Sequence, residues 1–277
     1  MNRLNLIQKP ILAMAQPAAL PGTVRYGGTG IGAISRQLID EVGTLADGGV
    51  NGVILQNFND GVIKQQAPLE ATAFLTRLAC DLRHAFPDLV LGILTCWDGV
   101  SSLAVAEAAE ADFVRVEHVY CGAELTAAGI LEGQCAQVQQ LKQKLCATTE
   151  IYADVYEPHA VQLCPQPIEA AAMDTVFGGM ADGLFLCGKT VAESMDIVQR
   201  VRAKLPKTPC ICGGGSTAEN VGTLLSVYDG VCVGQWIKGG SLHNAVDPER
   251  LGRYMDAVKC AREASRQTGA NYDAAGF

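Results

Sequence analysis

The sequence predicts a single closed (β/α)8 barrel, the TIM barrel, as one domain over residues 1–277, and three observations carry that prediction. Eight short apolar runs lack the in–out alternation of a half-exposed strand, as expected of a sheet buried on both faces. Longer segments of helical period lie between the runs. No Ser/Pro-rich linker or shift in composition interrupts the order. An open doubly wound sheet is the alternative built from the same elements.

The runs, in order, are "ILAMA" at 11–15, "GVILQ" at 52–56, "LVLGILT" at 89–95, "FVRVE" at 113–117, "EIYADV" at 150–155, "GLFLC" at 183–187, "PCICG" at 209–213 and "GVCVG" at 230–234. Helical segments include "AISRQLIDEVGTLADGG", "PLEATAFLTRLACDLRHAF" and "VAESMDIVQRVRAKL". The last places Val191, Met195, Val198, Val201 and Leu205 on one face. Several end in Gly or Pro before the next run, as in "DGGV", "AFPD" and "KLPKTP". The tail "CAREASRQTGANYDAAGF" starts helical and ends in small residues, which predicts a frayed end.

Charge and cysteine content narrow the classes of function. Lys+Arg 21 against Asp+Glu 29 leaves a net charge of −8, with no basic run, so a nucleic-acid-coating surface is not expected. The opening "MNRLNLIQKPILAMAQ" lacks the apolar core and cleavage site of an export signal, and no stretch approaches the apolar length of a membrane span. The 11 cysteines are odd in number, include no CxxC pair, and fall largely inside apolar runs. They read as small buried hydrophobes in a reducing cytoplasm rather than as a disulfide framework. Aliphatic residues in the amphipathic helices could also serve a homo-oligomer.

The stretch "CICGGGSTAEN" is the turn after the seventh run. In such barrels the loops after the seventh and eighth strands build phosphate sites. Gly213, Gly214 and Gly215 would let amides approach an anion without a Cβ in the way, and Ser216 or Thr217 would cap the following helix. "VGQWIKGG" adds the Gly234 amide and the Lys238 charge one strand later, and Gly188 ends the sixth run on the same side. A phosphorylated small molecule is therefore the expected partner.

Polar residues at the other strand ends frame the rest of the mouth. They are Asn57 and Asp60 after Gln56, Asp98 in "TCWDG", Arg115 and Glu117 on one face of "RVEH" with His118 on the other, Asp154, and His159 in the next loop. Carboxylates, an Arg and a His around one mouth suit general acid–base work, with Asp98, Arg115, Glu117, Asp154 and His159 as the catalytic set. Each also has a structural reading: a helix cap, a buried ion pair, a surface residue. No cofactor is expected. The same carboxylates and His159 could hold a divalent metal, although no HxxxH or DxD spacing is present.

Together these segments resemble the BtpA/SgcQ family. The likeness runs through "KPILAMAQPAALPGTVRYGG", "LADGGVNGVILQNFND", "ADFVRVEHVYCGAELTAAGILEGQ", "IYADVYEPHA", "ADGLFLCGKT", "GGGSTAENV" and "DGVCVGQWIKGG", and so covers most of the chain in order. It implies a barrel of the ribulose-phosphate-binding type and a cytoplasmic or membrane-peripheral protein. One branch is tied to photosystem I biogenesis, and another lies in carbohydrate-uptake gene neighbourhoods. Against the family pattern, Gln16 stands in place of a His, Gln56 in place of a carboxylate, and Glu117 in place of an Asn. Trp97 and Ala127 also replace polar residues.

Two functions follow as expectations. One is an isomerase, epimerase or lyase that abstracts a proton beside a carbonyl, with Glu117 or Asp154 as base and Arg115 stabilising the enediolate. The other is a non-catalytic assembly or regulatory factor whose phosphate site is vestigial or sensory.

Overall fold

In the computed structural model, which describes residues 3–61, 64–156 and 158–267, eight parallel strands close into a barrel. The elements run β1 (Ile11–Ala15), α1 (Ile31–Asp47), β2 (Gly52–Gln56), α2 (Leu69–Ala85), β3 (Val90–Leu94), α3 (Gly99–Ala108) and β4 (Phe113–Val116). An antiparallel hairpin follows, β5 (Ala123–Thr126) and β6 (Gly129–Glu132), then α4 (Cys135–Leu145) and β7 (Glu150–Asp154). The chain continues through the two-residue β8 (Val161–Gln162), α5 (Ile168–Met173), β9 (Gly183–Leu186), α6 (Val191–Lys204), β10 (Cys210–Cys212), α7 (Val221–Leu225), β11 (Gly230–Val233) and α8 (Pro248–Gln267). Around the barrel the order is β1, β11, β10, β9, β7, β4, β3, β2. The expected fraying of residues 268–277 lies outside the described residues.

The barrel strands fall within one or two residues of the apolar runs, because continuous apolarity is what burial on both faces selects. Inside the barrel, Leu12, Met14, Ile54, Val90, Leu94, Phe113, Tyr152, Phe185, Ile211 and Cys232 form one core, with Leu4 beside them. Phe113 and Tyr152 meet edge to face at 5.5 Å between centroids, and Tyr152 meets Phe185 at 6.2 Å. Glycine makes room for these rings: a Cβ on Gly92 would lie 2.4 Å from Phe113, and one on Gly183 would lie 2.3 Å from Tyr152. The outer core lies between strands and helices; α1 buries Ile34, Leu38, Val42 and Leu45 at helical spacing.

Two departures from the expected alternation bear on function. The helix after β10 is only five residues long and begins at Val221, so neither Ser216 nor Thr217 caps it. The hairpin β5–β6 between β4 and β7 is joined by β8, which follows β7, in a three-stranded antiparallel sheet ordered β6, β5, β8. Its strands are too short for the periodicity that marked the barrel strands.

At the opposite end a single device recurs four times. Asn51, Asp112, Asp182 and Asp229 immediately precede every second strand of the barrel (β2, β4, β9, β11). Each donates its amide to a carbonyl near the start of the preceding barrel strand (β1, β3, β7, β10), at Ile11, Leu91, Ile151 and Cys210, over 2.8–2.9 Å. The side-chain oxygen then accepts the amide of that same residue, at 2.8–2.9 Å. A helix cation completes each clasp: Arg262, Arg83, Lys142 and Arg202 in turn. Asp112 is the most enclosed, its side chain 2% exposed, and it also binds Arg3 at 2.9 Å. Burial alone would raise its pKa, but the Leu91 amide and the Arg3 and Arg83 guanidiniums outweigh it and hold the carboxyl below the usual carboxylate range.

Asp112→Ala is expected to cost about 3 kcal/mol in urea unfolding at neutral pH, because it removes the charge partner of the largely buried Arg83 and leaves the Leu91 amide without its acceptor. Asp229→Ala, at a half-exposed clasp, should cost about 1 kcal/mol. Asp112→Asn should fall between, since Asn51 already performs the same bonding as an amide. The depressed Asp112 pKa stabilises the fold above about pH 4 and is lost as pH falls through its folded value, so Asp112→Asn should flatten the acid limb of the stability curve.

Candidate active site

The strand C-termini open into one cavity of about 870 Å3. β1 contributes Met14 and Gln16, and the strand ends after β2 and β3 bring Gln56, Cys96 and Trp97. Arg115, Glu117 and His118 arrive from β4, and Gly188 and Lys189 from the turn after β9. The glycine-rich turn after β10 and Gly234 to Trp236 after β11 complete the wall, with Arg250 from α8.

Arg115 anchors the floor. Its Nε and Nη2 donate to the two carboxylate oxygens of Asp154 at 2.9 Å each, and both side chains are 6% exposed. The guanidinium carbon lies 4.4 Å from the centroid of the Phe185 ring, and Nη1 reaches the Gly213 carbonyl at 3.4 Å. Burial opposes its charge, but Asp154 more than offsets this and keeps Arg115 protonated. A row of amides leads to Glu117: Gln16 Nε2 donates to Gln56 Oε1 at 2.9 Å, and Gln56 Nε2 to Glu117 Oε2 at 3.4 Å.

The glycine-rich turn borders open space. A Cβ built on Gly214 or Gly215 would meet nothing within 4 Å, and Gly215 sits at φ +72°, a left-handed conformation that favours glycine. Among the described residues the amides of Gly214, Gly215 and Ser216 have no protein acceptor. Asn220 shapes the turn, accepting from the Thr217 amide at 2.8 Å and donating to the Gly215 carbonyl at 2.9 Å. Two amides expected to be available are already used. Gly213 donates to Leu186 at 3.1 Å, completing the β9–β10 ladder, and Gly188 donates to Ser194 Oγ at 2.9 Å. The Ser216 hydroxyl is engaged with Tyr254 at 2.5 Å.

Several residues named from the sequence lie away from the cavity, each for a structural reason. Asp98 caps α3, accepting from the Val100 and Ser101 amides at 3.1 Å, and also holds the Ala67 amide at 2.9 Å. Asn57 accepts from the Cys96 amide and donates to Asp60, which in turn holds the Leu20 amide at 2.8 Å. Burial pushes the Asp60 pKa up. Lys238 points outward, 1% exposed, with Nζ 2.8 Å from Glu41 of α1, so it brings no charge to the mouth. Asp154 is committed to Arg115 and is absent from the cavity wall. Glu117, Arg115 and His159 do line it.

Other wall residues were not singled out from the sequence. His118 was placed on the face opposite Glu117, yet φ +66° turns the chain there and brings it to the cavity. Trp97, His118 and Tyr156, all just past strand ends, share this left-handed backbone, which is costly for a non-glycine residue. Lys189, Arg250 and Trp236 also line the wall; the signal for Lys189 was its place directly after Gly188, at a strand end. Cys96 and Cys232 are buried in the lining, and burial pushes the first well above the usual thiol range and the second up to about 12. They are neutral thiols at neutral pH. All 11 cysteines are free. Among the described residues no cluster of three or more His, Cys, Asp or Glu could hold a metal, and no helix is long and apolar enough to cross a membrane.

Comparison with known proteins gives a consistent picture. TK2179, an uncharacterized protein of Thermococcus kodakarensis, is 33% identical over 261 residues, 93% of this chain and 98% of its own length. The photosystem I biogenesis protein BtpA of Synechocystis is 29% identical over 253 residues, 90% of this chain and 88% of that protein. Among solved structures, N-acetylmannosamine-6-phosphate 2-epimerase of Clostridium perfringens superposes with a TM-score of 0.52 at 12% identity, covering 93% of this chain and 96% of that one. Phosphoribosyl anthranilate isomerase of Thermus thermophilus gives 0.54 at 10% identity, covering 91% and 98%. These two likenesses establish the barrel fold and nothing finer. The model of the BtpA family matches residues 7–260, and the chain belongs to that family.

Proposed function

We propose that the protein is an enzyme that binds a phosphorylated small molecule at the barrel mouth and isomerises, epimerises or cleaves it by proton transfer. The observation that carries this reading is one cavity holding three adjacent unpartnered amides, at Gly214, Gly215 and Ser216, together with Arg115 and Glu117. Unpartnered amides beside open space favour an anion, and Lys189 and Arg250 add positive charge to the same wall. The two solved barrels described earlier are named for phosphorylated substrates, and the loops after the seventh and eighth barrel strands are where such barrels often bind phosphate, which supports this reading.

In this reading the phosphate anchors the ligand on the turn after β10 and the reactive carbons point across toward β4. Glu117 takes the proton beside the carbonyl, and the guanidinium of Arg115 stabilises the negative charge that develops on oxygen. Asp154 supports Arg115 rather than acting as a base. It holds the fork in place and balances its charge where water is scarce.

A second reading, a non-catalytic assembly factor, is favoured by one observation. Leu125, Ile130 and Val161 are cross-strand partners on the accessory sheet and stand 45%, 61% and 63% exposed. The relative named as a photosystem I biogenesis protein belongs with this reading. Loss of cellular phenotype on replacing these residues, with Glu117→Gln harmless, would favour it over the enzyme.

Inorganic phosphate or a sugar phosphate should raise the melting temperature of the purified protein, and Gly214→Leu should remove the shift. Gly214 is the better position than Gly215, where any side chain adds left-handed backbone strain of about 1 kcal/mol. An unchanged shift in Gly214→Leu would exclude the turn as the anion seat. Glu117→Gln should lower turnover at least about a hundredfold with little change in melting temperature. Asp154→Asn should instead destabilise by about 3 kcal/mol, since it leaves the buried guanidinium unpaired.

A further inference from the structure

We infer that His118 is a second acid–base group of this site and that Glu124, on the accessory sheet, is the residue that positions it. The inference rests on the proton-transfer reading above and adds to it the group that handles the opposite half of the transfer. His118 Nδ1 lies 3.1 Å from Glu124 Oε2, and the two side chains are 10% and 1% exposed. In this inference Glu124 is the accepting carboxylate, Nδ1 carries the proton and Nε2 is the basic nitrogen. The other Glu124 oxygen accepts from Gln162 of β8, so two strands of the accessory sheet fix the carboxylate. A carboxylate held behind an imidazole sets its tautomer and steadies the imidazolium once it takes a proton.

The backbone is arranged for this purpose at some cost. His118 follows β4 at φ +66°, where a β-strand residue would have pointed away from the mouth. Trp97, itself at φ +63°, packs edge-on against the imidazole with centroids 5.0 Å apart at 79°. His118 therefore lines the main cavity beside Glu117. It also lines a smaller recess of about 110 Å3, bounded by Glu124, Tyr156 and Asp174 as well. Consecutive residues thus supply a carboxylate and an imidazole to one cavity.

The step balances without another reactant. In the reverse direction, in which Glu117 is the proton donor, Nε2 takes the proton from the carbon next to a carbonyl, and the C–H electron pair becomes part of an enolate whose oxygen faces Arg115. The imidazolium, paired with Glu124, returns a proton to carbon or to the neighbouring oxygen. Glu117 acts as its partner, one group removing a proton while the other delivers one. A carbonyl compound with an exchangeable α-hydrogen and a phosphate is the class of substrate this arrangement fits.

The test is hydrogen exchange in D2O, with ribulose 5-phosphate, fructose 6-phosphate and glyceraldehyde 3-phosphate as probes, followed by loss of the α-C–H signal in proton NMR. His118→Asn suits the left-handed backbone, which Asn tolerates, and should slow exchange about a hundredfold or more while the phosphate-induced melting shift persists. Glu124→Gln should slow it as well. In the 15N spectrum of the histidine rings it should also convert His118 from the Nδ1–H form to a mixture of tautomers, a change that a merely structural carboxylate would not cause. Full exchange in His118→Asn would overturn the inference and leave the enzyme reading standing. An unaltered His118 tautomer in Glu124→Gln would overturn the role of Glu124. No exchange by the unmodified protein with any probe that raises its melting temperature would overturn the inference and the enzyme reading together.

Discussion

The fourfold clasp at the closed end of the barrel is the constraint on which the remaining geometry depends. A parallel barrel is held by its hydrogen-bond register, and a slip of one residue would turn every inward side chain outward. Asn51, Asp112, Asp182 and Asp229 each bond the neighbouring strand through both their amide and their side chain, so the register is set pair by pair at the first residue of each ladder. The cation that completes each clasp comes from a helix, which ties the outer layer to the same register. Strand ends 15 Å or so away, at about 3.3 Å per residue, inherit their positions from it.

What the register delivers at the mouth is a charge that could not exist there alone. Arg115 projects into the barrel above the Phe113, Tyr152 and Phe185 layer, and Asp154, the last residue of the adjacent β7 and two positions beyond the Tyr152 that pairs with Arg115, meets it with both oxygens. A guanidinium in so dry a place is retained only when paired, and once paired it is a fixed positive field beside the cavity. The apolar rings below and the neutral thiols of Cys96 and Cys232 keep that field from being diluted. Stability and chemistry therefore draw on the same ion pair, and Asp154 belongs to both.

The accessory sheet gives the site a part that a bare barrel lacks. Its inner row brings Glu124 and Gln162 to His118, while its outer row exposes Leu125, Ile130 and Val161. One small element thus faces the recess beside His118 with polar groups and the solvent with apolar ones. That is the reverse of a sheet covering a hydrophobic core, and it is why the enzyme and the assembly-factor readings attach to opposite faces of the same strands. The family relationship is compatible with both, because a shared barrel fixes where a site can be and not what it does.

The barrel itself was legible in the sequence, because burial of a strand on both faces leaves an unbroken apolar run and burial of one helix face leaves a 3.6-residue period; both are local in the chain. The location of the glycine-rich turn was legible for the same reason, since the count of runs places it after the seventh strand. The clasps were also written there, in "VNG", "ADF", "ADG" and "YDG" before alternate strands, but their meaning depends on a neighbouring strand 19 to 40 residues away in sequence. Which polar residues serve the cavity was decided only by the tertiary structure. Asp98, Asp60 and Lys238 carry the right chemistry at strand ends, yet each finds a closer structural partner in an adjoining loop or helix. His118 appeared to face the wrong way until a left-handed backbone turned it. Hydrophobic periodicity is a property of one segment and can be read along the chain, whereas the partner of a charged side chain is set by which segments the fold brings within 3 Å of it.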